Sequence, residues 1–244
     1  MKKLLKNILL NVLSARGYIA LMEKRNKTTE PGFKLIGKDT FLGLLAKKRN
    51  LFFVQIGAND GVKNDPIYPF IKKYHWRGIL VEPLPDFFER LKANYKEETQ
   101  LTFENVGIAD EKAELNFYYL PPQYNEPDWL QQIGSFDRAA IEFNLNGMSD
   151  LNSKIEVKKI PVIPLPDLLK KTNGESIDLL VIDAEGFEYK ILSQLDKLTN
   201  RVEHILFEWG SMSRETLDLL IQYLKNLGYN LYASGGDMLA VLKK

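Results

Sequence analysis

The 244 residues, 45% of them hydrophobic, suffice for one α/β domain with a full core and a small appendage. A formal net charge of +1 excludes a strong field toward nucleic acid, and no basic stretch interleaves with aromatics in the way that grips single strands. The absence of cysteine excludes disulfides, thiolate catalysis and cysteine-held metals, and fits a reducing, cytoplasmic setting.

The chain opens with Met1-Lys2-Lys3-Leu4-Leu5, like a signal peptide, but Lys6, Asn7 and Asn11 break the apolar run and no small-x-small cleavage site follows. Leu5, Ile8, Leu9, Val12 and Leu13 recur at helical spacing. Residues 1–35 therefore read as an amphipathic helix and linker. That helix packs on the protein's own core or on a second copy in a homo-oligomer; peripheral contact with a membrane surface is the weaker option. No stretch is long enough to span a bilayer.

From residue 36 to 244 strands alternate with helices. Asp39 is expected to cap a helix reaching about Lys48. Residues 51–56 form a buried strand that stops at the turn Gly57-Ala58-Asn59-Asp60-Gly61. A helix over 66–74, a strand over 78–82, a helix over 86–95 and a strand near 101–106 follow. Residues 115–120 alternate as an extra strand, and 121–150 form a long irregular insert, the length of a functional lid. Then come a strand at 155–163, a helix at 166–171, and the apolar run 177–182, as a central parallel strand should be. A helix over 189–195, a strand over 204–207, a helix capped by Ser213 and ended by Gly228, and a hairpin about Gly235-Gly236-Asp237 complete the chain. The order implies a doubly wound, mostly parallel sheet closed by an antiparallel hairpin strand.

A strand, a glycine turn, a helix and a second strand ending in an acid, Glu82, make a device for gripping a nucleoside. Asp60 inside the turn would repel a pyrophosphate; the sulfonium and ammonium of S-adenosylmethionine would be tolerated. In an open α/β sheet ligands bind beyond the carboxyl ends of the strands. The tips there are the glycine turn, Glu82, Asn105-Val106-Gly107, Asp183-Ala184-Glu185-Gly186 and Glu208-Trp209. Acids just past buried strands need partners. One of Asp183 and Glu185 could cap the helix near Phe187, and Glu208 could pair with Arg214 or Arg201. Both histidines, His75 and His204, fall at the amino ends of strands. The base candidates are then Asp183, Glu185, Glu208 and Asp137, with a Mg²⁺ held by Asp183 and Glu208 as the metal option.

The chain resembles the FkbM-type S-adenosylmethionine-dependent methyltransferases over roughly residues 50–242. The resemblance rests on Ile56-Gly57-Ala58-Asn59-Asp60-Gly61, Val81-Glu82-Pro83, Gly134-Ser135 in the insert and Pro164-Leu165-Pro166-Asp167-Leu168-Leu169. The most specific piece is Ile177-Asp178-Leu179-Leu180-Val181-Ile182-Asp183-Ala184-Glu185-Gly186-Phe187-Glu188. It implies a seven-stranded, Rossmann-like class I sheet and methyl transfer to a hydroxyl of a sugar, glycan precursor or related metabolite. By that resemblance Gly57 and Gly61 cradle the methionine moiety, Glu82 holds the ribose and Asn105 and Gly107 lie near the adenine, with Gln55, Ala58, Asn59, Pro83 and Asp183 as further cofactor contacts. Asp183 and Glu185 face the transfer site beside Glu208. Ser135, Trp209 and the insert's Tyr124, Trp129, Phe136 and Phe143 are candidate acceptor contacts. The family often carries an acid at the position of Gln55 and a lysine at that of Val181. Two alternatives stay open: a nicotinamide oxidoreductase, and a cofactor-binding module that transfers nothing.

Overall fold

A computed structural model describes residues 34–124, 128–145, 148–172, 174–199 and 201–243. The expected N-terminal helix lies outside the described residues, and with it the expected oligomer or membrane contact. Lys34–Leu35, read as linker, instead form a short edge strand, β1.

The main sheet has eight strands, one more than the expected seven because β1 adds to its edge. The others are β2 (Phe52–Ile56), β3 (Arg77–Val81), β4 (Leu101–Glu104), β9 (Leu179–Ile182), β10 (His204–Glu208), β11 (Tyr229–Ser234) and β12 (Asp237–Leu242). Their order is β1-β11-β12-β10-β9-β2-β3-β4. All run parallel except β12, which the closing hairpin inserts antiparallel between β10 and β11. The central strands β2 and β9 are buried at every residue, which is why their sequences are continuous apolar runs rather than alternating ones.

Alternate residues of these strands feed two cores. Val54, Ile56, Leu180 and Ile182 pack with α6 (Leu165–Leu169), α7 (Glu188–Leu192) and α8 (Arg214–Asn226) on one face. Phe53, Leu80, Leu179 and Val181 pack with α1 (Lys38–Leu45), α2 (Tyr68–Tyr74) and α3 (Pro85–Asn94) on the other. The result is a three-layer α/β sandwich. Ser213 caps α8 as expected, accepting from the Thr216 amide at 3.1 Å, and Gly228 follows the helix at φ +92°. Asp39 does not cap α1: Gly37 holds the cap position, and Asp39 lies inside the first turn.

The remaining strands leave the main sheet. β5 (Gly107–Ile108), β6 (Ala113–Tyr119), β7 (Gly134–Ser135) and β8 (Glu156–Ile163) form a separate sheet in the order β5-β8-β6-β7. The insert between β6 and β8 is less irregular than expected. It carries 3₁₀ turns, β7, α4 (Arg138–Asn144) and α5 (Ser149–Asn152) around Leu120, Leu130, Ile133, Ile141 and Leu145. No helix among the described residues is long and apolar enough to cross a membrane.

Candidate functional site

The carboxyl ends of β2, β3, β9 and β10 open onto a cavity of about 240 Å³, bounded on one side by the insert. Gly57 starts the first wall at φ +80°, where a Cβ would stand 1.7 Å from the Asp183 carbonyl oxygen. Only glycine lets two strand ends approach this closely. Glu82, at the end of β3, is buried, and both its oxygens are engaged. Oε2 accepts from the Asn59 amide and Oε1 from the Leu84 amide, each at 2.8 Å. Burial, with Asp60 nearby, pushes its carboxyl up to about 7 against those two hydrogen bonds.

Asp65 occupies the start of α2. Its Oδ1 accepts from the Ile67 and Tyr68 amides at 2.7 and 2.8 Å, and its Oδ2 from Gln55 Nε2 at 2.9 Å. Burial raises it to about 6. A helix N-terminus would otherwise attract a phosphate, and here a carboxylate already fills it. Asp60 is spent on the turn, accepting from the Val62 and Lys63 amides, so Asp65 is the acid that closes the helix to pyrophosphate. Gln55 lines the cavity with a buried Oε1 that has no hydrogen-bond partner among the described residues.

The opposite wall is acidic. Asp183 follows β9 and Glu208 ends β10, and the pairing of Ile182 with Phe207 sets them side by side. Glu185 sits in a left-handed conformation, φ +49°, held by Asn144 Nδ2 at 2.7 Å and by Ser211 Oγ at 3.1 Å. Neither Asp183 nor Glu185 caps α7, contrary to expectation; Glu188, in its first turn, accepts from the Ala184 amide at 2.8 Å instead. One carboxylate oxygen from each of Asp183, Glu188 and Glu208 lies within 4.8 Å of the others. Among the described residues Glu208 makes no surface ion pair: Arg214 turns to Asp218 and Arg201 to the Lys243 carbonyl.

Every one of these carboxyls is pushed above the ordinary range. Asp183 opens onto the cavity yet has protein on most sides, so desolvation raises it most, then Glu185 and Glu208. Desolvation and Glu208 raise Glu185; desolvation raises Glu188 to about 8. Glu208 is raised chiefly by burial, opposed by a hydrogen bond from Ser211. Such a wall accepts a cation or shared protons and repels anions.

A family model described as the methyltransferase FkbM domain matches residues 55–231. The chain belongs to the FkbM methyltransferase family. No curated protein matches. Among solved structures, the methyltransferase FkbM from Methylobacillus flagellatus KT is 14% identical with TM-score 0.49, over 85% of this chain and 48% of that one. The human methyltransferase 10 domain containing protein is 14% identical with TM-score 0.45, over 84% and 79%. Precorrin-6y C5,15-methyltransferase from Geobacter metallireducens GS-15 is 16% identical with TM-score 0.40, over 89% and 93%. The chain spans about half the length of the Methylobacillus protein. Membership in a methyltransferase family leaves the nicotinamide reading without support.

Of the residues expected at an FkbM site, Gln55, Gly57, Ala58, Asn59, Glu82, Pro83, Gly107, Asp183, Glu185 and Glu208 line one cavity. Five others do not. Gly61 is needed for packing, since a Cβ there would stand 2.4 Å from the Leu91 side chain. Asn105 donates to the Glu82 and Pro83 carbonyls, at 2.8 and 3.1 Å, and so braces the loop after β3. Ser135 is fully buried and accepts from the Asp137 amide, Asp137 itself caps α4, and Trp209 donates to the Gly235 carbonyl at 3.2 Å. Of the insert's aromatics only Phe136 lines the cavity, between Phe117 at 4.8 Å and Phe187 at 5.4 Å; Phe143 is 62% exposed.

Sequence reasoning missed Asp65, Glu188, Phe117, Phe187 and Gln132 as site residues. Asp65 carried a usable signal, an acid directly before a proline at a helix start. Glu188 closes the Ile177-to-Glu188 run but carries no signal of its own. The aromatics had none, because tertiary packing alone gathers them.

Proposed function

We propose that this FkbM-family chain is a cytoplasmic, S-adenosylmethionine-dependent O-methyltransferase whose acceptor is a hydroxyl of a sugar, glycan precursor or related metabolite. The observation that carries the reading is the pairing, in one cavity, of the buried Glu82 carboxyl with the orphaned Gln55 Oε1 beside Asp65. The first suits ribose hydroxyls. The second is an acceptor awaiting a donor, and with an adjacent carboxylate it suits an ammonium group. This chain thus replaces the family's common acid at residue 55 by an amide backed by Asp65. Val106, Gly107 and Ile108 supply a largely apolar wall for a base.

Held by Glu82, Gln55 and Asp65, the cofactor would supply an activated methyl with its sulfur as the leaving group, and a carboxylate of the acidic wall would take the acceptor's hydroxyl proton. Phe117, Phe136 and Phe187 exclude water and offer ring faces to a sugar. Asp183 and Glu185 hold the proton at the floor. Orientation of bound partners can be worth about 7–11 kcal/mol in the best cases, and a positioned base adds roughly 10²–10⁴-fold. Mg²⁺ at Asp183 and Glu208 would serve the same end by lowering the hydroxyl's pKa. The acidic wall favours neutral acceptors over phosphorylated ones.

Calorimetry with S-adenosylmethionine and its demethylated product tests the reading, beside methyl transfer to a panel of sugars with and without Mg²⁺. Glu82→Ala is expected to weaken cofactor binding, while Asp183→Ala spares binding more than turnover. No heat from either ligand would overturn the reading. Tight binding without product across the panel would point to a cofactor-binding module.

A further inference from the structure

We propose that Asp183, Glu188 and Glu208 form a three-carboxylate site for one divalent cation of the Mg²⁺ or Mn²⁺ kind, with Glu188 as the ligand that completes it. Three separate elements deliver these side chains: the end of β9, the first turn of α7 and the end of β10. One oxygen of each lies within 4.8 Å of the others. At the usual metal–oxygen distance of about 2.1 Å, oxygens on an octahedral Mg²⁺ stand about 3.0 Å apart when adjacent and about 4.2 Å when opposite, so binding would draw these side chains together.

Proximity of acids alone would not point to a cation. Glu188 does. Its side chain is fully buried, at 0% exposure. Oε1 is satisfied by the Ala184 amide, but Oε2 has no hydrogen-bond partner among the described residues. A buried carboxylate oxygen without a donor is strongly unfavourable. The neighbouring groups do not remedy it. Asp183 and Glu208 bring more negative charge, Ser211 donates toward Glu185 and Glu208, and Lys38 is ion-paired with Asp237. Beyond Glu188's own backbone amide, what this carboxyl lacks is a shared proton or a cation, and three oxygens delivered by three elements favour the cation. An all-oxygen, three-carboxylate set selects a hard divalent ion and leaves coordination positions for water or acceptor hydroxyls. A role for that ion in activating the acceptor rests on the proposed methylation; its binding does not.

The full-length protein, stripped with a chelator and desalted, would be titrated with Mn²⁺ while electron paramagnetic resonance reads the free ion. We expect one Mn²⁺ per chain, displaced by excess Mg²⁺, with binding weakened tenfold or more in Glu188→Gln and in Glu208→Gln. Calorimetry with S-adenosylhomocysteine on the same samples shows that each variant is folded. Should Glu188→Gln fail to fold, Glu208→Gln carries the comparison. Wild-type protein that binds S-adenosylhomocysteine but no Mn²⁺ would overturn the site, as would Mn²⁺ binding unchanged in both folded variants. Mn²⁺ binding without S-adenosylhomocysteine binding would uphold the site and sink the cofactor reading instead.

Discussion

At Gly57 and Glu82 backbone geometry and burial set what single residues can do. A Cβ on Gly57 would stand 1.7 Å from the Asp183 carbonyl at φ +80°, so Gly57→Ala must push the central strands β2 and β9 apart at their tips. Gly235 has a similar φ of +65° but nothing within 4 Å. Gly235→Ala is thus expected to cost about 1 kcal/mol from backbone conformation, and Gly57→Ala about 3 kcal/mol or more, measured by urea unfolding. Equal losses would show that the approach of Asp183 is not what demands glycine. Glu82 gives a pH dependence whose sign follows from burial. Its carboxyl rises from 4.5 to about 7 on folding, with Asp60 raising it and the Asn59 and Leu84 amides lowering it. The folded state holds that proton more tightly. Its contribution, of order 3 kcal/mol, is fully present below the unfolded value and is lost as pH rises through about 7. Glu82→Gln should flatten that region of the stability profile. Affinity for S-adenosylhomocysteine should run the opposite way, rising through the same range in wild type, since on the proposed reading the ionised form would accept from both ribose hydroxyls. An unchanged stability slope in Glu82→Gln would assign the pH dependence elsewhere.

The insert shows how short elements are fastened to a site. Gln132 donates to the Lys63 carbonyl and accepts from Asn64, each at 2.7 Å, and Asn144 donates to Glu185. These bonds tie the insert to the loop after Gly57 and to the acidic wall. At about 1 kcal/mol each, loss of one should raise the open population about fivefold. We expect Gln132→Ala with Asn144→Ala to speed amide exchange across α4 and to raise acceptor KM, with cofactor affinity kept within about twofold. Unaltered exchange would mean that the apolar contacts around Leu130 and Ile141 hold the insert alone. None of this was legible in the sequence. Helix α4 has seven residues and α5 four, too few for a periodicity to show. The separate sheet was hidden for a different reason. Only Asn105 and Val106 separate β4 from β5, and which sheet a strand joins is decided by distant partners: β8 for β5, β3 for β4. The main strands and α8 were legible because their signals are local: buried apolar runs, Ser213 at one end and Gly228 at the other.

Across the whole molecule a near-neutral chain sets six of its 32 acids, Asp65, Glu82, Asp183, Glu185, Glu188 and Glu208, near the carboxyl ends of one sheet. Glu82, Asp183 and Glu208 could be placed there from sequence because parallel strands all point their carboxyl ends the same way. Asp65 stands in the loop just before α2 and Glu188 in the first turn of α7, and the direction of a side chain at such a turn is set by the fold. For the same reason Gly61, Asn105 and Ser135 face packing rather than the cavity. Among the described residues this end of the sheet holds an unpartnered acceptor in Gln55, which lines the cavity, and another in the fully buried Glu188, outside its lining. A ligand that binds only the folded state stabilises it by about 2.7 kcal/mol at a hundredfold excess over Kd, or roughly 5–10 °C in Tm for a chain of this size. Such a shift is expected in calorimetric scans with S-adenosylhomocysteine. On the proposed reading adenosine would reach Glu82 but not Gln55 and Asp65, so at equal concentration its shift should be smaller. Equal shifts would show that the amino-acid end of the cavity contributes nothing, and no shift from either compound would remove the cofactor from this cavity altogether.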